Sequence, residues 1–289
     1  MLGIDKFGGT QADADAAAAD ARLPRHEVYA LRYATVDRPR RDNFMGGADP
    51  HEASMPMDYF VWVVRNGERV WLVDTGFNRQ AAQARKRDFL RCPIESLALL
   101  GIAPAAMTDV IITHLHYDHA GNLDLLPNAQ IHIQERELHY AVGCNMCRPI
   151  FRAAYTADDV VHVVRGVYRD RVSFYRGDAQ LAPGLQLYLI GGHTDGLQVV
   201  RVHTRRGWIV LASDASHYYE NMQAQAPYPI VYHVGDMVAG WEKIRRLAPS
   251  PQHVVPGHDP DVLRRYPLHS VQPGDGKAEI ACLHEAPSR

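Results

Sequence analysis

Apolar residues along this chain fall mostly into short runs, and polar or glycine-rich breaks separate them. Residues 28–36, 59–64 and 69–73 read as three early strands. Arg65-Asn66-Gly67-Glu68 joins the last two and contains Asn-Gly, a tight-hairpin signal. Further strands are expected over 110–113, 130–133, 172–175, 185–190, 197–203, 208–212 and 253–255. Helical patterns cover 80–90, 94–100, 135–141 and 236–247, the last with Trp241, Ile244 and Leu247 as its apolar stripe. Residues 144–169 are less regular and suggest a lid or insertion. The loop between Arg38 and Pro56, rich in Gly, Pro and Met, is a candidate pocket wall.

Residues 1–24 carry little apolar bulk and read as an N-terminal arm, flexible or clasping a partner subunit, with a short helix over 13–22. The tail 269–289 is expected to show little order. Between them, residues 25–268 read as one domain, since no polar linker divides them. Strands in both halves, with helices following them, predict an α+β architecture of two packed sheets with helices outside.

Composition narrows the function. A chain of 289 residues with 46% hydrophobic and 22% charged residues is an ordinary globular composition. A net charge of -2 gives no field for a polynucleotide, so no nucleic-acid partner is expected. The basic cluster Arg85-Lys86-Arg87 with Arg91 reads as a solvated helix face. No apolar stretch approaches the ~20 residues of a membrane span. There is no apolar leader core either, so a cytoplasmic protein without membrane attachment is expected. Four cysteines at 92, 144, 147 and 282 do not form a disulfide framework in a chain of this size. Cys144-Asn145-Met146-Cys147 lacks a second pair and reads as a loop with two reduced thiols.

The chemistry is concentrated in His114-Leu115-His116-Tyr117-Asp118-His119, directly after the apolar run Val110-Ile111-Ile112. Three imidazoles and a carboxylate within six residues are typical ligands for zinc and similar divalent ions. The competing reading is a set of surface histidines with an Asp helix cap. Three more ligand-type residues repeat the layout at strand ends: His193 after Gly191-Gly192, Asp214 after Val210–Ser213, and His258 after Pro256-Gly257. His203, Asp195 and His253 compete with them but read as structural.

This pattern resembles the metallo-β-lactamase fold superfamily, and within it the N-acyl homoserine lactonase branch. The hallmark is His-x-His-x-Asp-His, then a lone His, a bridging Asp and a final His. The resemblance implies a four-layer αββα sandwich. It implies one metal on His114, His116 and His193, a second on Asp118, His119 and His258, and Asp214 bridging both. Trp71-Leu72-Val73-Asp74-Thr75-Gly76 matches an early strand whose Asp supports the site, although a plain turn Asp explains it equally. Asp214-Ala215-Ser216 and Glu220-Asn221 also resemble the lactonases.

Lactonases usually carry a tyrosine three residues after the bridging Asp; here that position is His217, followed by Tyr218 and Tyr219. The interval from His119 to His193 is also long. The implied reaction is lactone-ring opening by a hydroxide held between two ions, zinc by default, with iron, cobalt or manganese also compatible. Asp118 would move the proton, and His217 or Tyr218 would assist the carbonyl. Met45, Met57, Tyr117, Phe151, Tyr155 and Tyr228 are expected to line a pocket for a small hydrophobic lactone or ester. A thioesterase of the hydroxyacylglutathione type or a generalist esterase is the alternative. A homodimer is the implied oligomer.

Overall fold

A computed structural model of the chain describes residues 20–46, 53–67, 69–271 and 278–288. Thirteen strands among them form two sheets. They are β1 (Glu27–Val36), β2 (Met57–Asn66), β3 (Arg69–Val73), β4 (Asp88–Phe89), β5 (Asp109–Ile111), β6 (Gln130–Gln134) and β7 (Val172–Tyr175). After these come β8 (Ala179–Ala182), β9 (Leu185–Leu189), β10 (Gln198–Thr204), β11 (Gly207–Ser213), β12 (Val254–Pro256) and β13 (Ile280–Cys282). The larger sheet runs β13-β1-β2-β3-β5-β6-β7, with β4 beside β1. Its β1–β2–β3 pairings are antiparallel, and β3–β5–β6–β7 are parallel. The smaller sheet runs β12-β11-β10-β9-β8, with only β11–β12 parallel.

Alternation along the strands sorts the core into layers. Phe60, Trp62 and Val64 of β2 meet Val200, Val202, Ile209 and Leu211 between the sheets. Tyr59, Val61 and Val63, on the other face of β2, pack under helices on the outer side. The second sheet buries Val199, Val210 and Ala212 against Trp241 and Ile244 of the helix Val234–Leu247. The result is the αββα arrangement of two mixed sheets.

The structure departs from the sequence reading in several places. The helix expected over 80–90 stops at Arg85, because Lys86 adopts a left-handed C-cap with φ 55°. Residues 88–89 then pair with β1. The irregular 144–169 stretch contains a 3-10 turn at Cys144–Cys147 and helices at Pro149–Arg152 and Ala157–Val167. Strand β8 is short and half-polar, too weak a signal to notice. Residues 280–282 of the tail pair with Tyr29–Leu31 of β1, a long-range contact invisible to local pattern. Most of the expected helix over 13–22 lies outside the described residues. Asp20, at its end, accepts a hydrogen bond from Trp208 Nε1. All four cysteines are free. No helix among the described residues is long and apolar enough to cross a membrane.

Candidate metal centre

Strand ends from both sheets deliver the site. Asp74 follows β3, His114 follows β5, His193 follows β9, Asp214 follows β11 and His258 follows β12. Asp74 and Ser213 sit at φ 61° and 45°, conformations that cost a non-glycine residue energy and that cluster at functional turns. Gly257 is dictated by space: a Cβ there would lie 2.8 Å from Ser213 O and 2.9 Å from Asp214 Oδ1. Gly192 is tighter still, 2.5 Å from Met237 N. Both glycines bring a histidine close to a neighbouring backbone.

The ligand atoms converge into two groups around Asp214. Donor atoms of His114, His116, His193 and Asp214 all lie within 4.8 Å of one another, as do those of Asp118, His119 and His258. His116 Nδ1 is 3.0 Å from His193 Nε2, and Asp214 Oδ2 is 3.2 Å from His193 Nε2 and 3.7 Å from His114 Nε2. Asp214 Oδ1 lies 3.3 Å from His119 Nε2 and 3.0 Å from His258 Nε2; Asp118 Oδ2 is 3.8 Å from both those nitrogens. A tetrahedral ion with bonds of about 2.1 Å needs ligand atoms roughly 3.4 Å apart. The spacings straddle that value. His114 Nε2 and His119 Nε2 are buried without a hydrogen-bond partner, an expensive state that a cation would relieve. The residues present therefore fit two metal ions.

Outer contacts aim the rings. Asp74 Oδ2 lies 2.7 Å from His119 Nδ1, so that nitrogen donates and Nε2, beside Asp214, is the atom left for an ion. The other Asp74 oxygen accepts from Thr113 N at 2.8 Å. His258 Nδ1 donates to the Asp58 carbonyl at 2.9 Å, which leaves Nε2 pointing inward as the atom for an ion. Glu137, which the sequence pattern did not single out, is fully buried. It accepts from Leu115 N at 2.8 Å, Thr194 Oγ1 at 2.6 Å and Gly196 N at 3.2 Å. It therefore ties the His114–His116 loop to the His193 loop. Its only sequence signal was an acid in the first turn of an amphipathic helix, which reads as ordinary capping.

Burial and neighbouring charges set the protonation. Burial, with the adjacent imidazoles, pushes His114 and His116 well below the usual histidine range. Burial also works against charge on His119, but the carboxylates of Asp214, Asp74 and Asp118 outweigh it and hold His119 well above that range. His258 is raised in the same way, burial opposing and Asp214 prevailing. Burial alone would raise Asp214, yet the surrounding imidazoles hold it well below the carboxylate range.

The other expected site residues divide. His217 Nε2 is 3.1 Å from Asp214 Oδ2, and its ring stacks on Tyr228 at 3.8 Å and 11°. Tyr218 turns away: its hydroxyl donates to Pro56 O. A cavity of about 230 Å³ opens over the cluster, lined by Met57, Tyr117 and Tyr228 among others. Met45, Phe151 and Tyr155 are not among its lining residues; Tyr155 instead packs edge-on to His116 at 4.6 Å. The solvated face expected at Arg85-Lys86-Arg87 is corrected, because both arginines are half-buried and line this cavity. A separate apolar cavity of about 310 Å³, beside Met222 and Val254, is lined by no imidazole or carboxylate.

Two sheets between helix layers, with a two-ion ligand cluster at their strand ends, define a metal-binding αββα protein. The chain belongs to the metallo-beta-lactamase superfamily, whose model matches residues 56–258. It is similar to an N-acyl homoserine lactonase of Bacillus cereus, 29% identical over 133 residues, which are 46% of this chain and 48% of that protein. An N-acyl homoserine lactonase of Azorhizobium caulinodans is 29% identical over 194 residues, 63% of this chain and 68% of the relative. The match to the Bacillus relative thus spans about half of that protein's length. The solved quorum-quenching N-acyl homoserine lactone lactonase superposes with a TM-score of 0.69 at 20% identity, covering 83% of this chain and 94% of that one. A dizinc quorum-quenching lactonase gives 0.65 at 18% identity, with 83% and 89% coverage. At those identities the solved structures speak to the fold.

Proposed function

We propose that this chain is a two-metal hydrolase that opens a lactone ring, with zinc as the default ion. The observation that carries the proposal is the meeting of His114, His116, Asp118, His119, His193, Asp214 and His258 in adjoining ligand groups beneath one cavity. When bound, two divalent ions supply Lewis acidity and bring the pKa of water toward about 7. Lactonase relatives favour a cyclic ester as substrate.

The chain's own residues handle position and protons. Asp118 lines the cavity beside His119 and His258, where its carboxylate takes a proton from the attacking water and returns it to the leaving alcohol. His217 is neutral: burial pushes it down to about 3 against the pull of Asp214. Its Nε2–H, beside Asp214 at the cavity, would be the one donor it can turn to a substrate carbonyl, since Nδ1 is buried, and it would supply a hydrogen bond rather than a charge. Its stacking on Tyr228 fixes the ring plane. Tyr218 has no part in this scheme, since Pro56 holds its hydroxyl.

A thioesterase acting on an anionic thioester is the second reading, favoured by Arg85 and Arg87 at the cavity wall. Metal analysis of the purified chain, followed by a panel of lactones, esters and thioesters, tests both. Two ions per chain and fastest turnover on a lactone are expected. Fewer than one ion per chain defeats the hydrolase reading, and faster turnover of a thioester defeats the lactone reading.

A further inference from the structure

Arg85 and Arg87 face the cavity that holds the ligand cluster, and neither forms a direct ion pair among the described residues, although the charge of Asp118 acts on Arg87 and that of Asp159 on Arg85. Several arginines elsewhere differ: Arg65, Arg136, Arg176 and Arg265 each pair with an acid. The left-handed turn at Lys86 interrupts the helix between the two and lets both turn to one side. An aromatic wall then holds them. The Arg85 guanidinium lies 3.8 Å over the Tyr117 ring, while Arg87 Nε donates to the Tyr117 hydroxyl at 3.2 Å. Tyr117 stacks on Phe77, and its hydroxyl meets that of Tyr59, whose ring packs edge-on to His258 at 5.2 Å.

Backbone carbonyls take up part of the donor set. Arg85 donates to Ala153 O and Tyr155 O, and Arg87 Nη1 donates to Arg85 O. Arg87 Nη2 has no hydrogen-bond partner among the described residues. Half-buried guanidiniums cannot shed their charge, so a cavity wall that carries two of them favours an anion over an alkyl chain.

We propose that Arg87, steadied by Arg85 and Tyr117, binds an anionic group on the substrate, so that the substrate is a short lactone or ester bearing a carboxylate in addition to the bond that is cut. This rests on the hydrolase reading above and narrows its substrate class. No bond changes at Arg87; it acts by charge and hydrogen bonding, and specificity is its role.

Two matched pairs test it on the zinc-loaded full chain: N-pentanoyl- against N-glutaryl-homoserine lactone, and p-nitrophenyl pentanoate against mono-p-nitrophenyl glutarate. Within each pair the members differ by a terminal carboxylate. The expected result is a kcat/KM preference of about tenfold or more for the glutaryl member, carried in KM and reduced by salt. R87Q should abolish that preference, and R87K should keep part of it. If only the esters are cleaved, the lactone reading fails while the ester pair still decides the role of Arg87. If neither pair is cleaved, glutarate is titrated calorimetrically into the metal-free chain and into R87Q. Binding that is lost in R87Q supports the assignment. Equal turnover within a pair, an unchanged preference in R87Q, or glutarate binding that is absent or unaffected by R87Q overturns it.

Discussion

His114, His116 and His193 form a triad of imidazoles, whereas Asp118, His119 and His258 form one with its own carboxylate. The two share Asp214 but are supported differently. Glu137 holds the first through the backbone and side chains of its loops, touching none of its rings directly. Asp74 and the Asp58 carbonyl hold the second by gripping ring nitrogens. Their protonation diverges as well. Burial keeps His114 and His116 neutral, while nearby carboxylates hold His119 and His258 above their ordinary range against burial. The first triad stands ready for a cation. The second must release protons to accept one.

Removing the shared carboxylate should erase this contrast and give the largest effect. D214A should lose both ions and more than about 100-fold in kcat/KM, beyond the usual cost of an outer-shell change. Metal content and kinetics measured together check it.

Acid should separate the triads. As pH falls, His119 and His258 take up protons first, because their pKa values lie above 6.5 before metal binds. Metal stoichiometry followed against pH should step from two ions to one, with the imidazole triad retaining its ion longer. The sign reverses for the metal-free fold. A raised folded pKa contributes stability that is complete below pH about 6.5 and lost as pH rises through the raised value. Thermal melts of metal-free H258Q should therefore show a smaller loss of stability toward alkaline pH than the unaltered chain shows.

The supports should also be separable. D74N should weaken the second ion by about 10- to 100-fold, and E137Q should act mainly on the first. Competitive chelator titrations with two resolved steps would show which step moves. Equal shifts of both steps in both variants would mean that the triads are one unit.

The smallest effect is expected from Y228F. It keeps the ring beneath His217 but removes the hydroxyl that accepts from Arg38. A change in KM of about two- to fivefold with little change in metal content fits the loss of one hydrogen bond.

Much of this was legible along the chain. The ligand motif is local, and an apolar strand runs straight into it, so Val110-Ile111-Ile112 announced both the element and the site. Gly257 signals a close approach from the sequence, and Ser213 O is what it approaches. The helix Ala157–Val167 is not legible along the chain, because its valines carry strand propensity. Strand β13 is not legible either, because its partner lies some 250 residues away in sequence.

By itself, the sequence determined which side chains could ligate ions and that strands would end where those ligands begin. Both follow from side-chain chemistry and periodicity over a few residues. Only the tertiary structure decided that Glu137 joins two loops, that His217 lies against Asp214 while Tyr218 turns to Pro56, and that Arg85 and Arg87 face a cavity rather than water. Those outcomes depend on where distant segments pack and which backbone groups they leave exposed, and no local propensity encodes that.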